Sequence, residues 1–309
     1  DGLSVTEFRG DYGFEKFIAR GGVASDEDLI RFLADTLMPG IGSFLLKMAG
    51  FGCSTISVES GEDGYYFGRN FDWSECDKQI LFSYPDKGYA SVSTVNIGFI
   101  QSAVGNMSIP ENVLKMAALY TPLDGMNEKG LCVAVNMIED DATIDQNTDK
   151  PDVTTTTAVR LLLNKAADTK EAVELLKDYD MHASFGYMVH FAIADAKGDA
   201  VAAEYIDDEL VITETPVLTN FYVSEGKKYG IGTEQSHERF DVLKEKLSGG
   251  EEVQMTRAQV RDALEAASKK NFSDTERTEW SIVYDQKNLN AQYYNREDFE
   301  KGYLVEIRK

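Results

Sequence analysis

The pattern of apolar and polar positions changes character at residue 53. Before it, Ser25 and the acids that follow can cap a helix, and apolar residues at three- and four-residue spacing continue that helix to Leu37. After it, residues 54–59 alternate with a period of two, residues 61–64 form a turn, and residues 65–73 return as a hairpin partner. The pattern predicts a helical segment followed by a domain rich in strands.

The rest of the chain alternates between blocks of strands and pairs of helices. Strands are predicted at 80–84, 90–97, 131–138, 187–194, 201–206, 210–213, 217–223, 280–284, 291–294 and 303–307. Helices are predicted at 157–167, 169–179, 237–247 and after Thr256, where Gln259 completes a capping box. Strand blocks that must be covered on both outer sides favour an α+β fold with two stacked sheets between helical layers.

The net charge of the chain argues against some classes of binding partner. The 309 residues carry 53 acidic and 31 basic side chains, for a net charge of −22. Such a surface repels phosphate backbones and anionic bilayers, so a nucleic-acid partner is not expected. The chain starts at Asp1 rather than Met, which together with its acidity favours an extracytoplasmic bacterial protein whose leader was removed.

Cofactors and membrane spans are not expected either. The three cysteines, Cys53, Cys76 and Cys132, allow one disulfide at most, and the three histidines show no metal-ligand spacing. The longest apolar stretch, residues 38–51, is interrupted by a proline, glycines and a lysine, so it does not predict a transmembrane span.

Cys53 is the first candidate for chemistry. Most free cysteines are small buried hydrophobes, but this one follows Gly52 and begins a strand where the pattern changes. No histidine lies near it in the sequence, so a Cys–His pair would have to be assembled from distant segments. Arg69 and Asp72 flank an aromatic residue at a strand end and are either a structural charge pair or groups that tune a thiol and hold an amine.

Three further residues are candidates for the site. Asn136 lies in an apolar strand and Asn220 follows another, so each is either a structural hydrogen-bonding residue or an oxyanion donor. Arg239, on a predicted helix, is expected by default to be solvated.

Taken together, these residues lie in motifs that resemble the choloylglycine hydrolase family of N-terminal nucleophile (Ntn) hydrolases. That family includes penicillin V acylases, bile salt hydrolases, acid ceramidase and N-acylethanolamine acid amidase. The motifs are Gly-Cys-Ser-Thr at 52–55, Phe-Gly-Arg-Asn-Phe-Asp-Trp at 67–73, Gly-Met-Asn-Glu-Lys-Gly-Leu at 125–131, Val-Asn at 135–136, Leu-Thr-Asn at 218–220, Glu-Arg-Phe at 238–240 and the region from 276 to 293. The resemblance spans residues 53 to about 309.

The resemblance implies a mechanism without histidine. The protein cuts its own chain between Gly52 and Cys53, and the new α-amine serves as base for the Cys53 thiol. A free α-amine has a reference pKa of about 7.7–8.0, which suits a base at neutral pH. The implied fold is a four-layer αββα sandwich. The implied roles are nucleophile and base for Cys53, amine holder for Asp72, thiol contact for Arg69, oxyanion contacts for Asn220 and Asn136, and completion of the polar cluster for Arg239.

The residues before Cys53 suggest a branch within the family. Residues 1–52 are expected to form a helical pro-segment that stays bound after cleavage, and residues 53–309 form the catalytic domain. A pro-segment of this kind and the Ser54-Thr55 pair look more like the ceramidase and N-acylethanolamine amidase branch. The expected substrate is an amphiphilic linear amide, such as an N-acylethanolamine or an N-acyl amino acid. Apolar residues just before the nucleophile either line an acyl groove or pack in the core; they are Phe44, Leu45, Leu46, Met48 and Phe51.

Four alternatives remain open at the level of sequence. A bile salt hydrolase or penicillin V acylase would use the same mechanism on a bulkier acyl group. A secreted binding protein could retain the fold without activity. A Cys–His peptidase would use His182, His190 or His237, and a metal-dependent hydrolase has the least support.

Overall fold

The computed structural model describes residues 2–37, 52–62, 64–103, 111–248, 253–273 and 275–308. Its strands are β1 (Leu3–Arg9), β2 (Gly52–Ser60), β3 (Tyr65–Trp73), β4 (Lys78–Tyr84), β5 (Ser91–Asn96), β6 (Asp124–Asn127), β7 (Cys132–Met137), β8 (Asp152–Thr154), β9 (Asp180–His182), β10 (Val189–Ala194), β11 (Ala200–Ile206), β12 (Glu209–Glu214), β13 (Val217–Leu218), β14 (Gln254–Met255), β15 (Arg277–Asp285), β16 (Asn290–Asn295) and β17 (Gly302–Glu306). Its helices are α1 (Phe14–Ala19), α2 (Asp26–Leu37), α3 (Ile97–Ala103), α4 (Glu111–Tyr120), α5 (Thr155–Lys165), α6 (Thr169–Lys177), α7 (Glu234–Lys246) and α8 (Arg257–Ala266).

Two large sheets form the centre of the molecule. One has the strand order β1-β4-β5-β6-β7-β10-β11-β12, and the other has the order β13-β2-β3-β15-β16-β17 with β14 also pairing with β2. Helices α3, α4, α5 and α6 pack on the first sheet, while α7 and α8 pack on the second. The α+β four-layer sandwich expected from the sequence is therefore confirmed.

Local sequence signals explain several helix ends. Asp168 caps α6 by accepting a hydrogen bond from the Glu171 backbone, and Thr256 with Gln259 forms the expected capping box of α8. Helix α7 starts earlier than the sequence predicted, because Thr233 caps it by accepting from the Ser236 backbone. The strand predicted at 217–223 is shorter in the structure, where only Val217–Leu218 pairs with β2.

The first part of the chain is not purely helical, which corrects the sequence prediction. Helix α2 is present as expected, but β1 pairs in parallel with β4 at the edge of the first sheet. Behind it, an aromatic cluster brings Tyr12, Phe14, Phe17 and Phe32 around Tyr120 of α4, with ring centroids 5.4–6.0 Å from the Tyr120 ring. Residues 2–37 thus contribute buried side chains to the hydrophobic core that also includes residues of α4, α5 and the first sheet.

The described residues contain neither a helix that could span a membrane nor a cluster of metal ligands. None of their helices combines the length and the apolar character needed to cross a bilayer. No group of three or more His, Cys, Asp and Glu side chains in that part of the chain is arranged to hold a metal ion.

Candidate active site

Cys53 lies at the start of the β2–β3 hairpin. The antiparallel register places Gly52 opposite Asp72, Cys53 opposite Phe71, and Thr55 opposite Arg69. The sequence favours this hairpin because alternating strands flank a turn that closes with a 2.8 Å bond from the Ser60 N–H to the Gly64 carbonyl. The hairpin therefore brings three of the six predicted site residues to one end of the second sheet.

The backbone nitrogen of Cys53 is held by Asn220. Its N–H donates to Asn220 Oδ1 at 2.8 Å, across 167 residues of sequence. Asn220 is fixed in turn, because its Nδ2 donates to the Met137 carbonyl at 2.6 Å and its own N–H donates to Ser236 Oγ at 2.6 Å. The nitrogen that self-cleavage would convert into an amine thus already has an oriented acceptor.

Arg239 joins the separate parts of the site. Its guanidinium donates to Asp72 Oδ2 at 2.8 Å, to the Cys53 carbonyl at 3.1 Å and to Asn220 Oδ1 at 2.6 Å. The side chain is buried, so the default expectation that it would be solvated is wrong. A buried guanidinium requires acceptors, and distant segments of the chain supply three of them.

Both carboxylate oxygens of Asp72 accept hydrogen bonds. Arg239 binds Oδ2, and Thr278 Oγ1 of β15 donates to Oδ1 at 2.7 Å. The sequence analysis did not single out Thr278, although the residue lies in the closing motif region quoted there. Its role is visible only once β15 pairs with β3.

Arg69 connects the two sheets beneath the cysteine. Its NH1 donates to Asn136 Oδ1 at 2.5 Å, and its NH2 donates to the Val135 carbonyl at 2.8 Å. Its Nε lies 3.5 Å from Asp124 Oδ2, and this carboxylate also accepts from Trp280 Nε1 and the Tyr284 hydroxyl at 2.9 Å each. Asp124 immediately precedes the motif at 125–131, but nothing in the sequence indicated that it balances a buried arginine.

The two asparagines each keep one amide N–H free of assigned partners in the described part of the chain. Asn136 Nδ2 donates to the Leu218 carbonyl at 3.2 Å, and Asn220 Nδ2 donates to Met137 as described. Since an amide NH2 has two donors, each side chain retains a second N–H. That donor is what an oxyanion contact requires.

Burial dominates the ionisation of the thiol. The Cys53 side chain is fully buried, and this raises its pKa to about 11 even though Arg69 and Arg239 oppose the shift. Asp72 adds to the increase. The thiol is therefore protonated at neutral pH in the uncut chain, and a base must remove its proton before it can attack.

No histidine of the described residues serves as that base. His190 bonds Glu204 and the Thr219 carbonyl, His182 bonds Asp145 and Asp152, and His237 bonds the Gly230 carbonyl. The structure therefore does not support the Cys–His peptidase alternative.

The other two cysteines lie elsewhere. Cys76 contacts Glu279. Cys132 is buried in β7, and this burial raises the pKa of its thiol well above the ordinary value. None of the three cysteines forms a disulfide within the described residues. The apolar residues considered for an acyl groove, Phe44, Leu45, Leu46, Met48 and Phe51, lie outside the described residues.

Gly52 lies in a tightly packed space, where an added methyl group would require its neighbours to shift. A methyl group placed on its Cα would lie 2.9 Å from Lys269 Cε and 3.1 Å from Asp72 Oδ2. Lys269 was missed by the sequence analysis, because nothing in its local sequence connects it to residue 52.

Comparison with known proteins shows the family of this chain. The family model described as acyl-coenzyme A:6-aminopenicillanic acid acyl-transferase matches residues 59–298, which is most of the chain. Among curated proteins, the search found no match.

Two solved structures share the fold of this chain. Two variants of conjugated bile acid hydrolase from Clostridium perfringens are similar at 15% and 13% identity, each with a TM-score of 0.62 and coverage of 82% of this chain and 92% of that one. Penicillin V acylase from Agrobacterium tumefaciens is 16% identical, with a TM-score of 0.49 and coverage of 79% and 83%. The resemblance to cysteine Ntn hydrolases stated from the sequence motifs is confirmed. The chain belongs to the acyl-coenzyme A:6-aminopenicillanic acid acyl-transferase family.

Proposed function

We propose that this protein cuts itself between Gly52 and Cys53 and then hydrolyses linear amides through an acyl-Cys53 intermediate. The observation that carries the proposal is the environment of the Cys53 nitrogen, which is bonded to Asn220 beside the Arg239–Asp72 pair. This nitrogen is the one base that cleavage would create next to the thiol, in a site where the described histidines are all engaged elsewhere.

Self-cleavage follows from the position of the scissile bond. The Cys53 sulfur attacks the Gly52 carbonyl carbon, the C–N bond breaks, and the thiol proton passes to the departing nitrogen, which becomes the α-amine. Water then hydrolyses the thioester and leaves a carboxylate on Gly52 and a free thiol on Cys53. The two products correspond to the proposed division into residues 1–52 and 53–309.

In turnover, the α-amine of Cys53 takes the thiol proton and later gives it to the leaving amine of the substrate. The Asn220 Oδ1 atom would fix the direction of the amine lone pair by accepting one of its N–H groups, as it does for the amide N–H in the uncut chain. Arg239 and Asp72 would hold this arrangement rigid. The remaining N–H groups of Asn220 and Asn136 are the proposed donors to the oxyanion, a type of contact that lowers barriers by several kcal/mol.

Glycine at position 52 is expected to be a requirement for self-cleavage. Gly52→Ala introduces a methyl group that must displace Asp72 or Lys269, and misplacement of a reacting group by about 1 Å costs about 100-fold in rate. We expect cleavage to slow by about 10- to 100-fold, measured by intact mass against time after purification. Gly61→Ala is the matched control, because the nearest atom to its added methyl lies 4.0 Å away, at Gln254 Oε1. Cleavage of Gly52→Ala at the wild-type rate would contradict the proposed geometry.

The proposed substrates are N-acyl amides with a flexible apolar acyl chain, namely N-acylethanolamines or N-acyl amino acids. The second candidate is conjugated bile acids, favoured by the fold shared with the Clostridium enzyme. The two differ in the shape of the acyl group, so a substrate panel separates them.

A series of acyl amides with increasing chain length tests the acyl preference. Each buried methylene contributes about 0.8 kcal/mol, so kcat/KM is expected to rise about fourfold per methylene until the groove is filled. Glycine- and taurine-conjugated bile acids serve as the comparison. Faster turnover of the bile acids than of the fatty-acyl series would replace the first substrate class by the second.

A further inference from the structure

A buried lysine lies beside the bond that is proposed to be cut. Lys269 begins the 3-10 turn Lys269–Asn271 after α8, and it is 5% exposed. Its Cε is the closest atom to a methyl group placed on Gly52, at 2.9 Å. Its backbone N–H donates to Thr278 Oγ1 at 2.9 Å, and the same hydroxyl donates to Asp72. Lys269 is therefore fixed to the site through its backbone as well as its side chain.

The ammonium group of Lys269 has a donor to spare. Its Nζ bonds the side-chain oxygen of Gln235 and the carboxylate of Glu276, which is about half exposed. An ammonium has three N–H donors, and the third has no acceptor among the described residues. A spare donor on a buried cation suits an anionic ligand, because a charged hydrogen bond is strongest where water is excluded.

The chemistry of turnover directs the amine part of the substrate to this place. The leaving nitrogen must come within hydrogen-bond reach of the Cys53 α-amine to be protonated. The Cys53 sulfur attacks the Gly52 carbonyl carbon in self-cleavage and the acyl carbon of the substrate in turnover, so that acyl carbon takes the place of the Gly52 carbonyl carbon. The leaving nitrogen is bonded to the acyl carbon, so it lies next to the space that Gly52 occupies. Once the peptide bond is cut, Gly52 is no longer tied to Cys53, and this space opens to substrate.

We infer that Lys269 is a specificity-determining residue that binds a carboxylate on the amine part of the substrate. This inference rests on the proposed function and sharpens it, because it favours N-acyl amino acids over neutral N-acylethanolamines. A carboxylate two bonds from the leaving nitrogen would offer the ammonium an anionic acceptor, whereas an ethanolamine hydroxyl would offer only a neutral partner. The local cation also offsets the repulsion of an anionic substrate by a protein of net charge −22.

The test compares two substrates with the same acyl chain, N-acylglycine and N-acylethanolamine, on the cleaved enzyme. Wild type is expected to prefer the acylglycine by about tenfold or more in kcat/KM. Lys269→Met should lower kcat/KM for the acylglycine by about 10- to 100-fold, the range of one charged hydrogen bond, and leave the acylethanolamine within about twofold. Lys269→Arg keeps the charge and should retain most of the preference.

Lys270→Met is the matched control. Lys270 is the next residue, and its partly exposed side chain pairs with Glu265. The Lys270→Met variant should leave the ratio of kcat/KM for the two substrates unchanged. Concentrations of active enzyme are set by intact mass and by iodoacetamide titration of Cys53, so a variant that cleaves poorly is still compared per active site.

Two results would overturn the inference while leaving the amidase intact. One is a wild-type enzyme that turns over both substrates equally well, which needs no variant to be observed. The other is a Lys269→Met variant that loses activity on both substrates in equal proportion. Failure of the proposed function has a different signature, namely a wild-type chain that neither cleaves nor hydrolyses any amide of the panel.

Discussion

Replacement of Cys53 by alanine is expected to abolish both self-cleavage and amide hydrolysis. In the proposed mechanism the Cys53 sulfur attacks the Gly52 carbonyl, and the same sulfur would carry the acyl group in turnover. Loss of a covalent nucleophile typically costs about 10⁴-fold or more in kcat. Intact mass should show one uncut chain of 309 residues, and amide turnover should fall to background.

Two controls accompany this experiment. Cys76→Ala should cleave and turn over normally, because Cys76 contacts Glu279 rather than the site residues. Iodoacetamide should modify Cys53 in the cleaved enzyme, with parallel loss of activity. An unreactive Cys53 in a cleaved sample would instead support a binding protein that retains the fold, and full activity of an uncut chain would refute the mechanism.

Removal of the Arg239 guanidinium is expected to have the largest effect on stability. Arg239→Met leaves the Asp72 carboxylate buried without its cation, and breaking a buried ion pair from one side costs about 3–5 kcal/mol. It also removes a donor from Asn220 Oδ1 and from the Cys53 carbonyl. We expect the free energy of unfolding to fall by that amount in a denaturant titration.

The measurement is cleanest in the Cys53→Ala background, where every molecule is uncut. The double variant Arg239→Met/Asp72→Asn should lose less than the sum of the two single variants, because it leaves no unpaired charge. Arg261→Met is the control, since Arg261 pairs with Asp262 near the surface of α8 and should change stability by less than about 1 kcal/mol. An Arg239→Met protein that unfolds at the same denaturant concentration as its parent would show that the pair is not needed.

Local signals predicted the parts of the fold that depend on neighbouring residues. The β2–β3 hairpin and the caps of α6 and α8 follow from alternation, turn residues and capping boxes within a few positions. The strand β1 was missed because its pairing with β4 is parallel and joins segments about 75 residues apart, for which the local pattern holds no signal. Helices α3 and α4 were missed because the sequence analysis identified neither a capping residue nor a clear apolar period in these two segments.

The site residues also divide into those that nearby sequence indicates and those that only contacts between distant segments reveal. The motifs gave Cys53, Arg69 and Asp72 because they share one hairpin. Arg239 is buried because it binds Cys53, Asp72 and Asn220. Cys53 and Asp72 lie more than 160 positions away from it in the sequence, so the fold is needed to bring these residues together. Lys269 reaches the site after α8, and its own sequence context gives no sign of it. Thr278 lies in the closing motif region, but its bond to Asp72 depends on the pairing of β15 with β3.

The edge strand β1 and the aromatic cluster behind it have a consequence for how the enzyme is made. If the chain is cut at Cys53, residues 1–52 and 53–309 become two molecules without a covalent link, and the contacts between them include the β1–β4 hydrogen bonds, the Lys165–Glu15 ion pair and the packing of Phe17 against Tyr120. Folding then happens once, as a unimolecular process before the cut. A mature enzyme that unfolds and releases its first piece must reassemble as a bimolecular process, so its recovery depends on protein concentration. The lifetime of the mature enzyme is then governed by its unfolding rate rather than by a reversible folding equilibrium.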